Sequence, residues 1–304
     1  MNGKKNRLLW SLILGYFCSM LVLDGKIAAA AVKASLQKQT ADIAANGKRA
    51  PHLAAILVGN NGASETYVAS KVKNCDETGF GSSLIRLTDD ETEADLLSKI
   101  KELNVDKTVD GILVQLPLPK HIDDEKIIEA IHPDKDVDGF HPTNIGRMVQ
   151  GYDTFIPATP YGVLLMLEYF KIETKGKHVV VIGRSNIVGR PMSILLSGDR
   201  PQGNAHVTLC HRYTPKEETI KMAQQADILV VAVGIPNFVT AEMIKPGAVV
   251  LDVGITRTNS GLQGDVDPDI VKIASAFAPM PGGVGPMTRA MLLSNVVEMA
   301  QNKL

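Results

Sequence analysis

Short apolar runs alternate along this chain with longer amphipathic ones, and that alternation sets a predicted element order. Residues 26–46 carry a helical pattern rich in Ala, Lys and Gln. Residues 53–58 form a continuous apolar run, the pattern of a buried strand, closed by the turn cluster Gly59-Asn60-Asn61-Gly62. Ser64 is placed to cap the next helix, which should run to Thr78 and stop at Gly79. A strand over 82–87 follows, then a helix over 89–103 whose acidic first turn suits the helix dipole. A third strand, 110–116, ends at Pro117-Leu118-Pro119. Residues 123–131 read as helix, and residues 132–142, dense in Pro and Gly, as irregular chain. A helix over 160–169, with Pro160 near its first turn, bridges into a second half.

The second half repeats the rhythm. Strands are expected over 179–182, 206–210, 228–233 and 248–253, with helices over 191–196 and 216–225. Residues 197–204 form a polar loop, 277–286 a rigid one, and 287–301 a closing helix. Strand–helix–strand alternation in both halves predicts an α/β fold with parallel sheets. No repeat of fixed period, zinc spacing, P-loop or G-x-S-x-G elbow occurs.

A chain of 304 residues is long enough for two domains. A net charge of -1 gives no electrostatic case for a nucleic-acid partner. Three scattered cysteines (Cys18, Cys75, Cys210) make no disulfide framework and fit a reducing compartment. The N-terminus departs from this picture. Lys4, Lys5 and Arg7 precede an apolar run over residues 8–23, which resembles a signal peptide without a clean cleavage site. It is also marginal for a membrane anchor, which needs about 20 apolar residues. The preferred expectation is that residues 1–19 are an extension upstream of the true start. An edge strand near Met20 would then lead into the first helix.

Several stretches carry chemistry. Residues 179–182 lead into Gly183-Arg184-Ser185-Asn186-Ile187-Val188-Gly189, where two glycines flank a polar turn before a helix. Such a turn can offer backbone N–H groups to a phosphate, although Ser185 replaces the middle glycine of the dinucleotide fingerprint. His211 and Arg212 follow the next strand, where this class of fold reads the ribose, and an Arg there accommodates a 2′-phosphate. Tyr67 and Lys71 share one helix face. A Tyr face can stack on a flat heterocycle, and a desolvated Lys can act as a base; the alternative is a core aromatic beside a solvated lysine. Gln115 sits at a strand end, either solvated or bonded to a functional group. Asp136 and Asp138 are either turn residues or, for one of them, a carboxylate that pairs with a guanidine-like ring edge. The glycine-dense loop from Pro281 to Pro286 either permits close ligand approach or is a plain connection.

Together these stretches resemble the bifunctional methylenetetrahydrofolate dehydrogenase/cyclohydrolase family. The matching motifs are Leu23-Asp24-Gly25-Lys26, Tyr67 to Lys71 (YVASK), Gly111 to Pro119 (GILVQLPLP), Asp136 to His141 (DVDGFH) and Pro157 to Pro160 (PATP). Gly183 to Pro191 (GRSNIVGRP), Asp252 to Ile255 (DVGI) and Pro281 to Thr288 (PGGVGPMT) continue them to the C-terminus. The resemblance implies a folate-binding catalytic domain over 20–157 plus 288–304, a Rossmann-like NADP-binding domain over 158–287, and an active-site cleft between them. It implies Lys71 as catalytic lysine with Gln115 its partner, Tyr67 stacked on the folate ring and Asp138 as pterin anchor. Val114, Leu116, Pro281, Gly282 and Gly283 would line the folate site. Gly183, Arg184, Ser185, His211, Arg212 and Ile255 would contact NADP. No metal is implied; a cytoplasmic homodimer acting on tetrahydrofolate derivatives is. Competing readings are a dehydrogenase without hydrolase activity, a non-catalytic nucleotide-binding regulator, and a form tethered by residues 8–23. Glu65, Arg289 and the long 197–204 loop depart from the family pattern.

Overall fold

The computed structural model describes residues 20–60, 62–259 and 261–303. The expectations for residues 1–19 lie outside the described residues, as does Asn61 of the predicted turn. Among the described residues, no helix is long and apolar enough to cross a membrane.

Two parallel sheets organise the chain. In the smaller, β2 (His52–Val58) lies between β3 (Gly81–Leu87) and β4 (Gly111–Val114). Alternate residues of β2 enter different layers, as strand geometry requires. Leu53, Ala55 and Leu57 pack with Leu36 and Ile43 of α1 (Gly25–Ala45) and with α9 (Val284–Lys303). Ala54, Ile56 and Val58 pack with Leu96 and Ile100 of α3 (Glu93–Val105) and Ile127 of α4 (Asp124–Ala130). Burial on both faces explains why β2 reads as an unbroken apolar run.

The larger sheet contains β1 (Leu21–Val22), β5 (His178–Ile182), β6 (His206–Cys210), β7 (Ile228–Val231), β8 (Val249–Asp252) and β11 (Ala276–Ala278), all parallel. Their order across the sheet is β1-β11-β8-β7-β5-β6. The predicted edge strand is thus only the two residues of β1, and it joins this second sheet, pairing with Ala276 and Phe277 of β11. The chain passes from β5 out to β6 and back across to β7, so strand order reverses at β5, where open α/β sheets bind ligands.

Several expected boundaries move for identifiable reasons. α3 starts at Glu93, not Asp89, because Thr92 and Asp95 close a capping box. α2 (Gly62–Glu77) starts before Ser64, which lies inside its first turn and is not its cap. The stretch expected to be irregular, 132–142, contains a 3-10 turn, Pro133–Lys135, and its last residue opens a helix that was not expected, α5 (Pro142–Val149). In both, proline opens the segment and the preceding histidine accepts a backbone N–H, so these prolines start structure instead of breaking it. α6 (Ala158–Tyr169) and α7 (Gly189–Ser197) each begin two residues early, and α8 (Lys216–Ala223) ends two residues short of Gln225. β7 stops at Val231 because the N–H groups of Val233 and Gly234 turn to the Asp265 carboxylate, at 2.6 and 2.9 Å. The loop 277–286 divides between β11 and the first turn of α9. A hairpin of β9 (Thr256–Thr258) and β10 (Gly261–Gln263) has no counterpart in the sequence pattern.

Candidate active site

β2 and β4 run parallel and deliver their C-terminal ends to one edge of the small sheet. α2 leaves from that edge and carries Lys71; β4 hands over directly to Gln115. Lys71 is buried, 5% exposed, which removes the solvated-lysine reading. Its Nζ donates to Gln115 Oε1 at 3.3 Å. Burial pushes the lysine pKa below its ordinary value, with the Asp138 charge opposing. Tyr67 lies on α2 one turn before Lys71, and its side chain is outside the described residues. Val114 is buried and Leu116 half-buried beside Gln115.

The two aspartates divide the alternatives left open by the sequence. Asp136 is the turn residue: its carboxylate accepts from Gly139 N (3.1 Å), His141 N (2.8 Å) and Asn144 Nδ2 (3.0 Å). Asp138 receives no hydrogen bond at its carboxylate from any described residue. It is only half covered, yet protein surrounds it closely enough that desolvation pushes its carboxyl up to about 6. The Lys71 ammonium pulls that value down and Asp136 pushes it up. Asp138 is thus a carboxylate with free acceptors next to an amine. Its loop is fixed by Asn295, buried on α9, whose Nδ2 donates to Val137 O at 2.9 Å and Ile156 O at 3.3 Å. Asn295 escapes a reading by sequence; its one signal is an amide inside an otherwise apolar helical stripe.

The glycine loop after β11 meets the start of α1. Gly25 N donates to Gly282 O at 3.0 Å, and a Cβ on Gly25 would collide with the Gly283 carbonyl. Gly282 has φ +108. Close approach of two backbones, and not a plain connection, therefore explains the glycines here.

A cleft of about 770 Å³ opens at the C-terminal ends of β5, β6 and β7, within the size of small-molecule sites. Gly183, Arg184, Ser185, His211 and Arg212 line it together, as do Thr214 and Lys216, which sequence reasoning missed. Ile255 stands apart from these residues, 47% exposed beyond the end of β8. Cβ atoms on Gly183 or Gly189 would strike the carbonyls of Ala232 or Gly183, so both glycines serve close packing of strand and helix. Ser185 Oγ accepts Val188 N–H at 3.1 Å and can still donate its own proton. Tyr213, 68% exposed, carries both cleft arginines on its ring, Arg212 at 4.9 Å and Arg184 at 5.3 Å from the centroid. Asp252, from the DVGI motif, is structural: its carboxylate accepts Asp265 N (2.9 Å) and Val266 N (3.2 Å). Asp265 in turn holds the Val233–Gly234 turn at the cleft wall.

A nucleotide cleft at the reversal point of one parallel sheet, with a buried lysine and a free carboxylate at the edge of another, defines a two-domain α/β nucleotide-dependent enzyme. A family model described as tetrahydrofolate dehydrogenase/cyclohydrolase, catalytic domain, matches residues 23–138, and its NAD(P)-binding-domain counterpart matches residues 157–304. The chain belongs to the tetrahydrofolate dehydrogenase/cyclohydrolase family. It is 54% identical over 286 residues to "Bifunctional protein FolD" of Flavobacterium johnsoniae, covering 91% of this chain and 96% of that one. The solved structure of the bifunctional FolD enzyme from Campylobacter jejuni is similar at TM-score 0.89 and 46% identity, over 94% of this chain and all of its own (100%). The Trypanosoma brucei enzyme, solved with NADP cofactor and inhibitor, gives TM-score 0.87 and 35% identity over 93% of this chain and 98% of that one.

Proposed function

We infer that the protein oxidises 5,10-methylenetetrahydrofolate to the 5,10-methenyl form with NADP, then adds water to give 10-formyltetrahydrofolate. The observation that carries this reading is Lys71, buried, depressed in pKa, bonded to Gln115 and adjacent in charge to Asp138. NADP fits the large-sheet cleft: glycines pack its turn tightly, and two arginines supply charge for a 2′-phosphate. When bound, NADP supplies the acceptor that takes a hydride, with both electrons, from the methylene carbon. That carbon becomes part of a cation, which a protonated lysine would repel. Neutral Lys71 instead takes a proton as water adds, and Gln115 positions its nitrogen. Asp138 offers two free oxygens to the N–H donors of the pterin edge.

Tyr67 would stack on the folate ring, with Val114, Leu116 and the Pro281-Gly282-Gly283 loop lining its site. Gly183, Arg184, Ser185, His211, Arg212 and Ile255 would make the nucleotide contacts. In this scheme residues 20–157 with 288–304 hold folate and residues 158–287 hold NADP. A cytoplasmic homodimer completes the reading: the buried free thiols Cys75 and Cys210 suit a reducing compartment, where reduced folate and NADP are available.

Absorbance at the methenyl band, with methylenetetrahydrofolate and either NADP or NAD, tests this in one assay. The band should rise with NADP and decay as water adds. No rise with either nucleotide overturns the reading. Lys71→Met should retain nucleotide binding and lose the decay.

A further inference from the structure

Behind the wall of the nucleotide cleft lie two buried carboxyls that the mechanism does not use. Asp252, the last residue of β8, is 1% exposed, and Asp265, which follows β10, is 0% exposed. Among the described residues, no lysine, arginine or histidine pairs with either. Each carboxylate fills the space that a Cβ on a neighbouring glycine would take, Asp265 at Gly254 and Asp252 at Gly264. Backbone, and not a counter-ion, therefore packs beside them.

The fold makes different demands on the two. Asp252 uses both oxygens, Oδ1 for Asp265 N and Oδ2 for Val266 N. Asp265 uses one: its Oδ2 accepts both Val233 N (2.6 Å) and Gly234 N (2.9 Å). Its Oδ1 is buried and accepts nothing from any described residue. An asparagine would make the same two bonds through its amide oxygen, turn its amide N–H groups toward Asp252, and avoid the cost of burying a charge. Fold stability thus calls for one acceptor at residue 265 and gives no reason for a carboxylate. Even with one proton shared between the two carboxyls, one negative charge stays in place.

That charge lies where a nucleotide could use it. Arg184 and Arg212 place a 2′-phosphate on the β6 side of the cleft. A dinucleotide anchored there crosses the reversal point at β5, so its far end belongs over the ends of β7 and β8. These strands lead into the Val233–Gly234 turn and end at Asp252. The far end is the nicotinamide, a cation in NADP and neutral in NADPH. We propose that Asp265 is a specificity-determining residue, whose buried charge favours the oxidised cofactor over the reduced one. The proposal rests on assigning the large-sheet cleft to NADP.

The test titrates the full-length protein and Asp265→Asn with NADP and with NADPH, without folate. Kd for NADP should rise about tenfold in the variant, the scale of one unit charge acting on another through protein, and Kd for NADPH by less than about twofold. The urea midpoint of the variant should equal or exceed that of the wild type. Equal changes in both Kd values, no change in either, or a lower urea midpoint overturns the proposal; the last would show that the carboxylate serves the fold.

A second measurement needs no variant. Burial pushes the Asp252 carboxyl up to about 7, with the Asp265 charge adding to the rise. A bound nicotinamide cation should lower that value by about one unit and expel about 0.4 proton at pH 7, whereas NADPH should expel none from the pair. Calorimetry in two buffers of different ionisation enthalpy reads this difference, and the 2′-phosphate, common to both nucleotides, cancels. Equal proton release overturns the proposal. Wild-type protein that binds neither nucleotide would overturn the NADP assignment, and the proposal with it.

Discussion

Lys71 Nζ donates to Gln115 Oε1 at 3.3 Å, and Gln115 faces that oxygen to the lysine because its Nε2 is committed to the Leu116 carbonyl at 2.6 Å. The backbone of β4 thus fixes the amide, and the amide fixes the amine. Gln115→Glu would place a carboxylate against Lys71 and raise its pKa. As the proposed base, Lys71 would act only when neutral, so hydrolysis of the methenyl compound at pH 7 should fall, by up to about 100-fold for a shift of about two units. It should recover as pH rises. The dehydrogenase step, which moves no proton to Lys71, should fall less. A pH profile of both steps checks this, and an unshifted hydrolysis profile would remove Gln115 from its role.

Asp138 gives a second pH signature. Its carboxyl lies near 6, above the 3.8 of a free aspartate, chiefly through desolvation. The pterin anchoring proposed for Asp138 would need the ionised form, so dehydrogenase kcat/KM should drop below about pH 6, close to tenfold per pH unit. Asp138→Asn should remove that limb and cost about 100-fold in kcat/KM, the scale of a lost charge-assisted pair. Stability should move the other way. A native pKa above the unfolded one means ionisation weakens the fold as pH rises from 3.8 to about 6. Urea titration should therefore find the variant more stable at pH 7, with the gap closing below pH 4.

Periodicity and residue type expose much of this, and the remainder has physical causes. The run over 53–58 announces β2 because both faces of that strand are buried. The run 206–210 matches β6 residue for residue. By contrast, β11 is three residues long and mostly alanine, too short to show a period of two. α5 is hidden by Pro142, which sits at the helix start and fixes its direction. At the site, residue chemistry points to Lys71 and Gln115, but only burial separates a depressed lysine from a solvated one. Asp136 and Asp138 are two residues apart and equivalent on paper; hydrogen bonds to Asp136 alone tell them apart. Tyr213 leaves no sequence signal, since its contacts with Arg184 and Arg212 depend on how β5 and β6 pair.

Those arginine contacts support a prediction about cofactor choice. Tyr213 keeps two cations at one mouth of the cleft, where a 2′-phosphate would bridge them. Arg212→Ser should lower the NADP-to-NAD ratio of kcat/KM by about 30-fold, for about 2 kcal/mol of charge-assisted bonding. Tyr213→Ala should lower it by about threefold, the worth of exposed cation–π contacts. Kinetics with both nucleotides decide the matter; equal ratios in wild type and Arg212→Ser would move the phosphate elsewhere.

Gly183 separates two costs that a glycine substitution can carry. Its φ is +119, and a Cβ there would run into the Ala232 carbonyl at the end of β7. Gly47, by comparison, has φ +72, and no atom lies within 4 Å of the place its Cβ would take. Gly47→Ala meets backbone strain alone and should cost about 1 kcal/mol. Gly183→Ala adds a collision with backbone that cannot rotate away, in a close-packed interior, and should cost at least about 3 kcal/mol. The only relief is to part β5 from the turn after β7, and both border the nucleotide cleft. Nucleotide affinity should therefore fall in Gly183→Ala and stay at the wild-type value in Gly47→Ala. Urea denaturation and NADP titration of the two variants measure both effects, and equal stability losses would show that the Ala232 contact yields.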